Sequence, residues 1–293
     1  MSISEVINSK KQDLENRKLE LYLDGINDPN SFQNWFKGIK ESGVFDSKEI
    51  IYPPSNCYIL PFSWFKWMLE GRYTEEKRNE FNQYIIDSFS FSDGERYFIK
   101  TGNFSNKFDF RHCLIKDINK IGDSFLEIFY TSMCVGARYN PVFVLRKYIE
   151  SESEYTIYNG MPLRYEFRYF YDFDKGEMLG VSKYWHEKEM ISLAHLPEGA
   201  TIDNVMSARG KTGKEWLERG IEDYIVYDKF RVGYDKYYEE NKRIIGDIIN
   251  KNITNKTLDG KWSIDIMVEG DKLYLIDMAL MQDSALVNRM ECL

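Results

Sequence analysis

Histidine is scarce in this chain. Only His112, His186 and His195 occur among 293 residues, which excludes a histidine-rich metal centre and leaves few candidates for a Ser-His-Asp triad. No G-x-S-x-G is present to build a nucleophile elbow. Cysteine is sparse as well: Cys57, Cys113, Cys134 and Cys292 lie 56, 21 and 158 residues apart, with no C-x-x-C. That spacing carries no zinc signature, and so long a chain needs no disulfide framework, so reduced cytosolic thiols are expected. No run approaches the ~18 apolar residues of a membrane span. The opening MSISEVINSKKQDLENRK has no apolar stretch of the signal-peptide kind. A cytoplasmic protein without membrane attachment is therefore expected. Positive charge is not in excess either. Lys plus Arg total 39 against 47 Asp plus Glu, a net charge of −8, which argues against a nucleic-acid-coating role. Two phosphate-chemistry motifs are also missing. Gly210-Lys211-Thr212 is not a P-loop, because Val205 stands where the motif requires glycine, and no K-x-D-G of a nucleotidyltransferase occurs.

What is present suits a folded core. Hydrophobic residues make up 43%, aromatics 16% and charged residues 29%. At ~150 residues per domain, the length allows about two domains. The pattern predicts a polar helix over 4–24, a second helix over 31–42, and helices in two pieces over 62–88 broken near Gly71. Ser92-Asp93-Gly94 predicts a turn and a domain boundary, followed by a strand through Arg96–Thr101. An amphipathic helix follows around 116–131, then a strand from Val142 to Ile149. Residues 163–173 and 177–185 read as a hairpin, 214–252 as a long, partly interrupted helix, and 261–268 with 272–279 as a final hairpin. The class is α+β.

The final hairpin carries the strongest chemical signal. Trp262, Ile264, Ile266 and Val268 share an apolar face, and Ser263, Asp265 and Met267 share the other. A connection of Gly270 to Lys272 would pair Glu269 with Leu273 and place Asp265 opposite Asp277. Opposed carboxylates repel unless a cation lies between them, and Mg²⁺ suits oxygen ligands completed by water and phosphate. A register slip of one residue would instead turn the two aspartates to opposite faces. Lys100 ends a strand beside the polar loop Thr101–Lys107 and could hold a phosphate, or be a surface lysine in a turn. Val144–Glu150 is an apolar strand turning polar, able to offer backbone groups to an adenine edge or to be an ordinary strand end. Glu166 and Arg168 alternate onto one strand face, where Arg168 could fork phosphate oxygens or pair with Glu166.

These pieces in this order resemble the ATP-grasp superfamily. Within it they are most similar to the branch of the eukaryotic cell-division-cycle protein that chaperones assembly of translation initiation factor two. The residues are Ile99-Lys100, Val144-Leu145-Arg146-Lys147-Tyr148, Glu166-Phe167-Arg168, Gly180-Val181-Ser182, Asp265-Ile266 and Leu275-Ile276-Asp277, spread over residues 96–286. The resemblance implies an ATP-grasp fold, two α+β lobes gripping ATP, over 96–293, with a hinge near 146–150 and a mainly helical N-terminal region over 1–95. It implies ATP and Mg²⁺ as cofactors. Lys100 and Arg168 would meet the phosphates. Arg146, Lys147, Tyr148 and Ile149 would form the adenine hinge, with backbone contacts from Lys147 and Tyr148. Asp265 and Asp277 would hold the metal. One position departs from the pattern: the superfamily usually places Asn two residues after the second acidic ligand, and here Ala279 stands there, with Gln282 and Asp283 nearby.

Two activities follow from the resemblance. One is an ATP-dependent carboxylate–amine ligase of the peptide type, with Arg168 and Lys183 as catalytic residues serving an acyl phosphate of an unidentified carboxylate. The other is a nucleotide-dependent assembly factor or chaperone for a protein partner, without ligation.

Overall fold

A computed structural model describes residues 3–92, 94–197 and 199–293; Asp93, within the turn expected at Ser92-Asp93-Gly94, lies outside them. The helices are α1 (Ile3–Asn27), α2 (Phe32–Glu41), α3 (Phe62–Glu70), α4 (Glu75–Ser88), α5 (Ile121–Cys134), α6 (Glu187–Leu193), α7 (Ile202–Ala208) and α8 (Glu215–Asn252). The strands are β1 (Ile50–Ile51), β2 (Ser55–Ile59), β3 (Tyr97–Thr101), β4 (Leu114–Ile115), β5 (Val142–Lys147), β6 (Thr156–Ile157), β7 (Met161–Pro162), β8 (Tyr165–Asp172), β9 (Glu177–Lys183), β10 (Lys261–Glu269) and β11 (Lys272–Leu280). The class is α+β, as the sequence predicts, and the N-terminal region is mainly helical. The chain divides into two compact units, Met1–Phe36 with Pro54–Tyr148, and Lys37–Pro53 with Ile149–Leu293. Residues 96–148 thus share a unit with the N-terminal helices, so this division does not follow the 95/96 boundary expected from sequence.

In the first unit, strands β2-β5-β3-β4 form a four-stranded sheet. The segment 52–56 reads as a loop from its prolines, yet Ser55 already pairs with Arg146 as β2 runs antiparallel to β5. Gly71 ends α3 at φ 66, a conformation that suits glycine, which explains the break between α3 and α4. Thr74 then caps α4 by accepting the Lys77 N–H. The start of α5 is held from outside: the side-chain oxygen of Asn82 accepts the N–H groups of Gly122 and Asp123 at 2.7 and 3.1 Å. Rings fill the core, with Phe125 4.7 Å from Phe143 and Phe65 5.8 Å from Phe129.

In the second unit, a five-stranded sheet runs β1-β11-β10-β8-β9. The long helical pattern is a single uninterrupted α8 of 38 residues. Tyr224, Tyr227, Phe230, Tyr234 and Tyr238 recur every three or four residues along it and are all buried. That aromatic stripe lies on β8: Phe167 stacks on Tyr238 at 5.4 Å, and Tyr169 donates its hydroxyl to the Lys242 carbonyl at 2.9 Å. At the sheet edge, Val181 of β9 exchanges two backbone hydrogen bonds with Glu291, at 3.0 and 2.8 Å. Gly180 allows this approach, because a Cβ there would sit 2.4 Å from the Glu291 carbonyl oxygen.

Candidate functional site

The hairpin β10–β11 does set Asp265 opposite Asp277. It reaches that register by a different route from the one the sequence suggests. The connection has two residues, since Glu269 pairs with Lys272 and Val268 with Leu273, and Gly270 takes φ 61 in the turn. A bulge between Asp265 and Ile266 then shifts the register, pairing Ile266 with Leu275 but Asp265 with Asp277. The extra residue in β11 cancels the shorter turn. The expected apolar face of β10 is buried, and so is its polar face: Ser263, Asp265 and Met267 are 1%, 3% and 2% exposed.

A buried carboxylate needs compensation, and Asp265 finds it across the sheet. Arg168 of β8 lies directly opposite. Its Nε and one terminal nitrogen each donate to an Asp265 oxygen at 2.7 Å, a two-pronged ion pair, while the other terminal nitrogen donates to the Ala285 carbonyl at 3.0 Å. The guanidinium also lies over the Tyr184 ring, 5.0 Å from its centre. Burial opposes the Arg168 charge, but Asp265, then Asp277 and Glu166, outweigh it and hold the guanidinium above its usual range. Glu166, Arg168, Asp265 and Asp277 therefore form one electrostatic group. Asp277 is half-buried, and one of its oxygens accepts the Met278 N–H at 3.1 Å.

The donor set suits a metal that brings much of its own coordination. Ser263 lies opposite Ala279 and donates to its carbonyl at 3.3 Å. Gln282 and Asp283 are exposed. Among the described residues, no group of three or more His, Cys, Asp or Glu is arranged to hold a metal ion. Asp265 and Asp277 set two carboxylates against the one guanidinium of Arg168, with Glu166 beside them, and each carboxylate oxygen can accept more than one partner. The set fits Mg²⁺ completed by water and phosphate oxygens and gives no enclosed protein cage.

Lys183 is not brought to this group. In the register of β8 with β9, Ser182 pairs with Arg168 and Lys183 with Phe167, so Lys183 points to the helix-covered face. There its ammonium binds Asp235 at 2.8 Å and sits 5.3 Å from the centre of the Tyr238 ring.

In the first unit, Lys100 is only 1% exposed within β3, which rules out the surface-lysine reading. The following loop closes on itself. Thr101 and Phe104 exchange backbone and hydroxyl hydrogen bonds at 2.9–3.1 Å, and the Asn103 amide donates to Asp28 at 3.0 Å. Those backbone donors are spent inside the protein and do not form an open phosphate cradle. Gly102 is required by close packing, since a Cβ there would meet Ser31 Oγ at 2.1 Å. Arg146 is buried at the end of β5, 6% exposed. Lys147 turns outward and pairs with Glu95 at 2.7 Å. The N–H of Lys147 donates to the Pro54 carbonyl and that of Tyr148 to the Arg96 carbonyl, both at 2.8 Å. The Ile149 carbonyl, in the second unit, accepts from Arg164. The N–H groups of Lys147 and Tyr148 are thus already committed to backbone partners.

Sequence reasoning missed the Arg168–Asp265 pair, the Tyr184 ring over Arg168 and the Ala285 carbonyl. The first joins residues 97 positions apart, and no local pattern reports it.

No family model and no curated protein matches the chain. Among solved structures it is similar to C-terminally truncated Cdc123 from Schizosaccharomyces pombe, at 11% identity and a TM-score of 0.47 over 93% of each chain. It is similar to Cdc123 from the same organism at 12% identity and a TM-score of 0.43, over 90% of this chain and 91% of that one. A third is D-alanine–D-alanine ligase from Bacillus anthracis complexed with ATP, at 10% identity and a TM-score of 0.34, over 88% of this chain and 57% of that one.

Proposed function

We propose that the protein is an ATP-grasp protein that binds Mg·ATP. The observation that carries this reading is the opposed pair Asp265 and Asp277, with Arg168 locked onto Asp265 on the same sheet face. Asp265 and Asp277 would hold the metal, which supplies charge neutralisation at the phosphates. Lys100 contributes a second cation to the phosphates. Arg168 fixes the Asp265 carboxylate and keeps two N–H donors beyond those already used. Adenine would lie against the Arg146–Ile149 stretch.

Two finer activities share this core. A carboxylate–amine ligase would let a carboxylate oxygen attack the terminal phosphate, releasing ADP, and an amine would then displace phosphate to leave an amide. A nucleotide-dependent assembly factor needs only the binding step. Ala279 at the usual third-ligand position and the Lys183–Asp235 pair on the opposite sheet face favour the second. ADP and phosphate release from ATP in a cell extract supports the ligase; nucleotide-dependent capture of one partner without ADP release supports the assembly factor.

Binding itself is tested by thermal and chemical denaturation. Mg·ATP at a hundredfold excess over its dissociation constant should raise stability by about 2.7 kcal/mol, and Asp277→Asn should remove most of that gain while leaving the free protein's stability near wild type. Mg²⁺ alone should change little, because phosphate must complete its shell. A wild-type protein indifferent to Mg·ATP, or an Asp277→Asn variant that responds as wild type does, overturns the reading.

A further inference from the structure

A pocket of about 630 Å³ opens in the second unit on the helix-covered side of its sheet. Tyr165 and Val268, which line it, pair across β8 and β10 two positions along from Phe167 and Ile266, and so share the face opposite Arg168 and Asp265. It is therefore separate from the acidic pair. Its wall is aromatic and drawn from three elements. Tyr165 of β8 stacks on Tyr237 of α8 at 4.4 Å and lies 5.6 Å from Phe230; Tyr155, from the segment before β6, meets Phe230 at 6.0 Å. All three tyrosines are half-buried and line the pocket. Gly233 keeps the helical wall clear. It is exposed in the middle of α8, where glycine is disfavoured, and a Cβ there would meet nothing nearer than the Tyr165 hydroxyl at 3.4 Å.

The charge around this wall is predominantly acidic. Glu269 and Arg164 form an ion pair at 3.3 Å, and Glu269 also accepts the Glu152 N–H at 3.1 Å. Glu152, Glu154 and Lys229 also line the pocket, so three carboxylates stand there against two cations. Both glutamates are exposed, and in the run Glu150-Ser151-Glu152-Ser153-Glu154 a carboxylate recurs at every second residue, the repeat of an extended chain. Aromatic ring faces carry a partial negative charge and attract ammonium and guanidinium groups, and adjacent carboxylates add a direct ion pair. We propose that this pocket receives a cationic side chain, arginine or lysine, of a polypeptide that runs along the 150–154 segment. The charged group lies against the Tyr155 ring and beside the stacked Tyr165–Tyr237 pair, and Glu152 and Glu154 pair with it. This site goes beyond the nucleotide reading and does not depend on it.

The test is calorimetric titration of the full-length protein with a short blocked peptide carrying two arginines. Comparison probes are the matching two-glutamate peptide, free arginine amide and adenosine. The arginine peptide should bind, and more tightly than arginine amide. Tyr165→Leu should weaken it by about tenfold. Glu154→Gln, at an exposed position that does not threaten folding, should weaken it severalfold, Lys229→Gln should strengthen it, and Mg·ATP affinity should stay the same in all three. Equal binding of the glutamate peptide, adenosine binding without peptide binding, arginine amide binding as tightly as the peptide, or Glu154→Gln and Lys229→Gln without opposite effects would each overturn the proposal.

Discussion

The two faces of the five-stranded sheet are built from alternate residues of the same strands, and they are buried by different physics. Toward α8 the sheet presents Phe167, Tyr169, Ile264 and Ile266, matched by the aromatic stripe of the helix. Away from α8 it presents Glu166, Arg168, Ser263 and Asp265. The first face is held by shape and area, which tolerate rearrangement within a fixed volume. The second is held by named partners. The Arg168 and Asp265 charges there are affordable only because each holds the other at hydrogen-bond distance. A face of the second kind is costly as scaffolding and is the natural place to look for chemistry.

The sharpest way to break this comparison is to remove one partner. Asp265→Ala leaves Arg168 buried without its carboxylate and should lose about 3–5 kcal/mol of unfolding free energy in urea, whereas Arg168→Met combined with Asp265→Leu should lose much less. Equal losses in the two variants would mean that the cost does not come from leaving Arg168 buried without its carboxylate.

A smaller effect contrasts Asp265 with Asp223 on α8. Arg219 acts on Asp223 through space but, among the described residues, makes no two-pronged bond to it. Burial pushes its carboxyl up to about 6, only partly offset by the Tyr158 N–H it accepts at 3.2 Å. A raised folded-state value means that its contribution is fully favourable below the ordinary value of 3.8 and is lost as pH rises through about 6. Asp223→Asn should therefore stabilise the protein at pH 7, by about 1–3 kcal/mol, and by only a fraction of that at pH 4. A gain that is constant with pH would assign the effect to packing. The smallest effect belongs to the pocket: Gly233→Ala should add about 0.5–1 kcal/mol of helix stability while narrowing the cavity beside Tyr165, separating what the helix prefers from what the cavity needs.

Much of this was legible in the sequence, for physical reasons. Alternation in β10 exposed its two faces, and a hairpin keeps its partners close in sequence, so the opposition of Asp265 and Asp277 was predictable even though a shorter turn and a bulge replaced the expected connection. The side of Lys183 was available too: strand alternation separates it from Ser182, which pairs with Arg168. The Arg168–Asp265 bond was not legible, because it depends on which non-consecutive strands become neighbours. The strand β2 was hidden by Pro53 and Pro54, and its partner β5 lies more than eighty residues on. The closed loop after Lys100 was hidden as well, since polar residues that could cradle an anion can equally satisfy one another.

The paired backbones of Val181 and Glu291 have a consequence for the behaviour of the whole molecule. An outermost strand with open amides is a template onto which other chains can add, the first step toward fibrils. Here the protein's own segment around Glu291 occupies part of that template, and Gly180 is the residue small enough to admit it. A bulkier residue at that position would lift the segment away and leave a sticky margin, so its harm would show as turbidity on standing before it showed as lost binding.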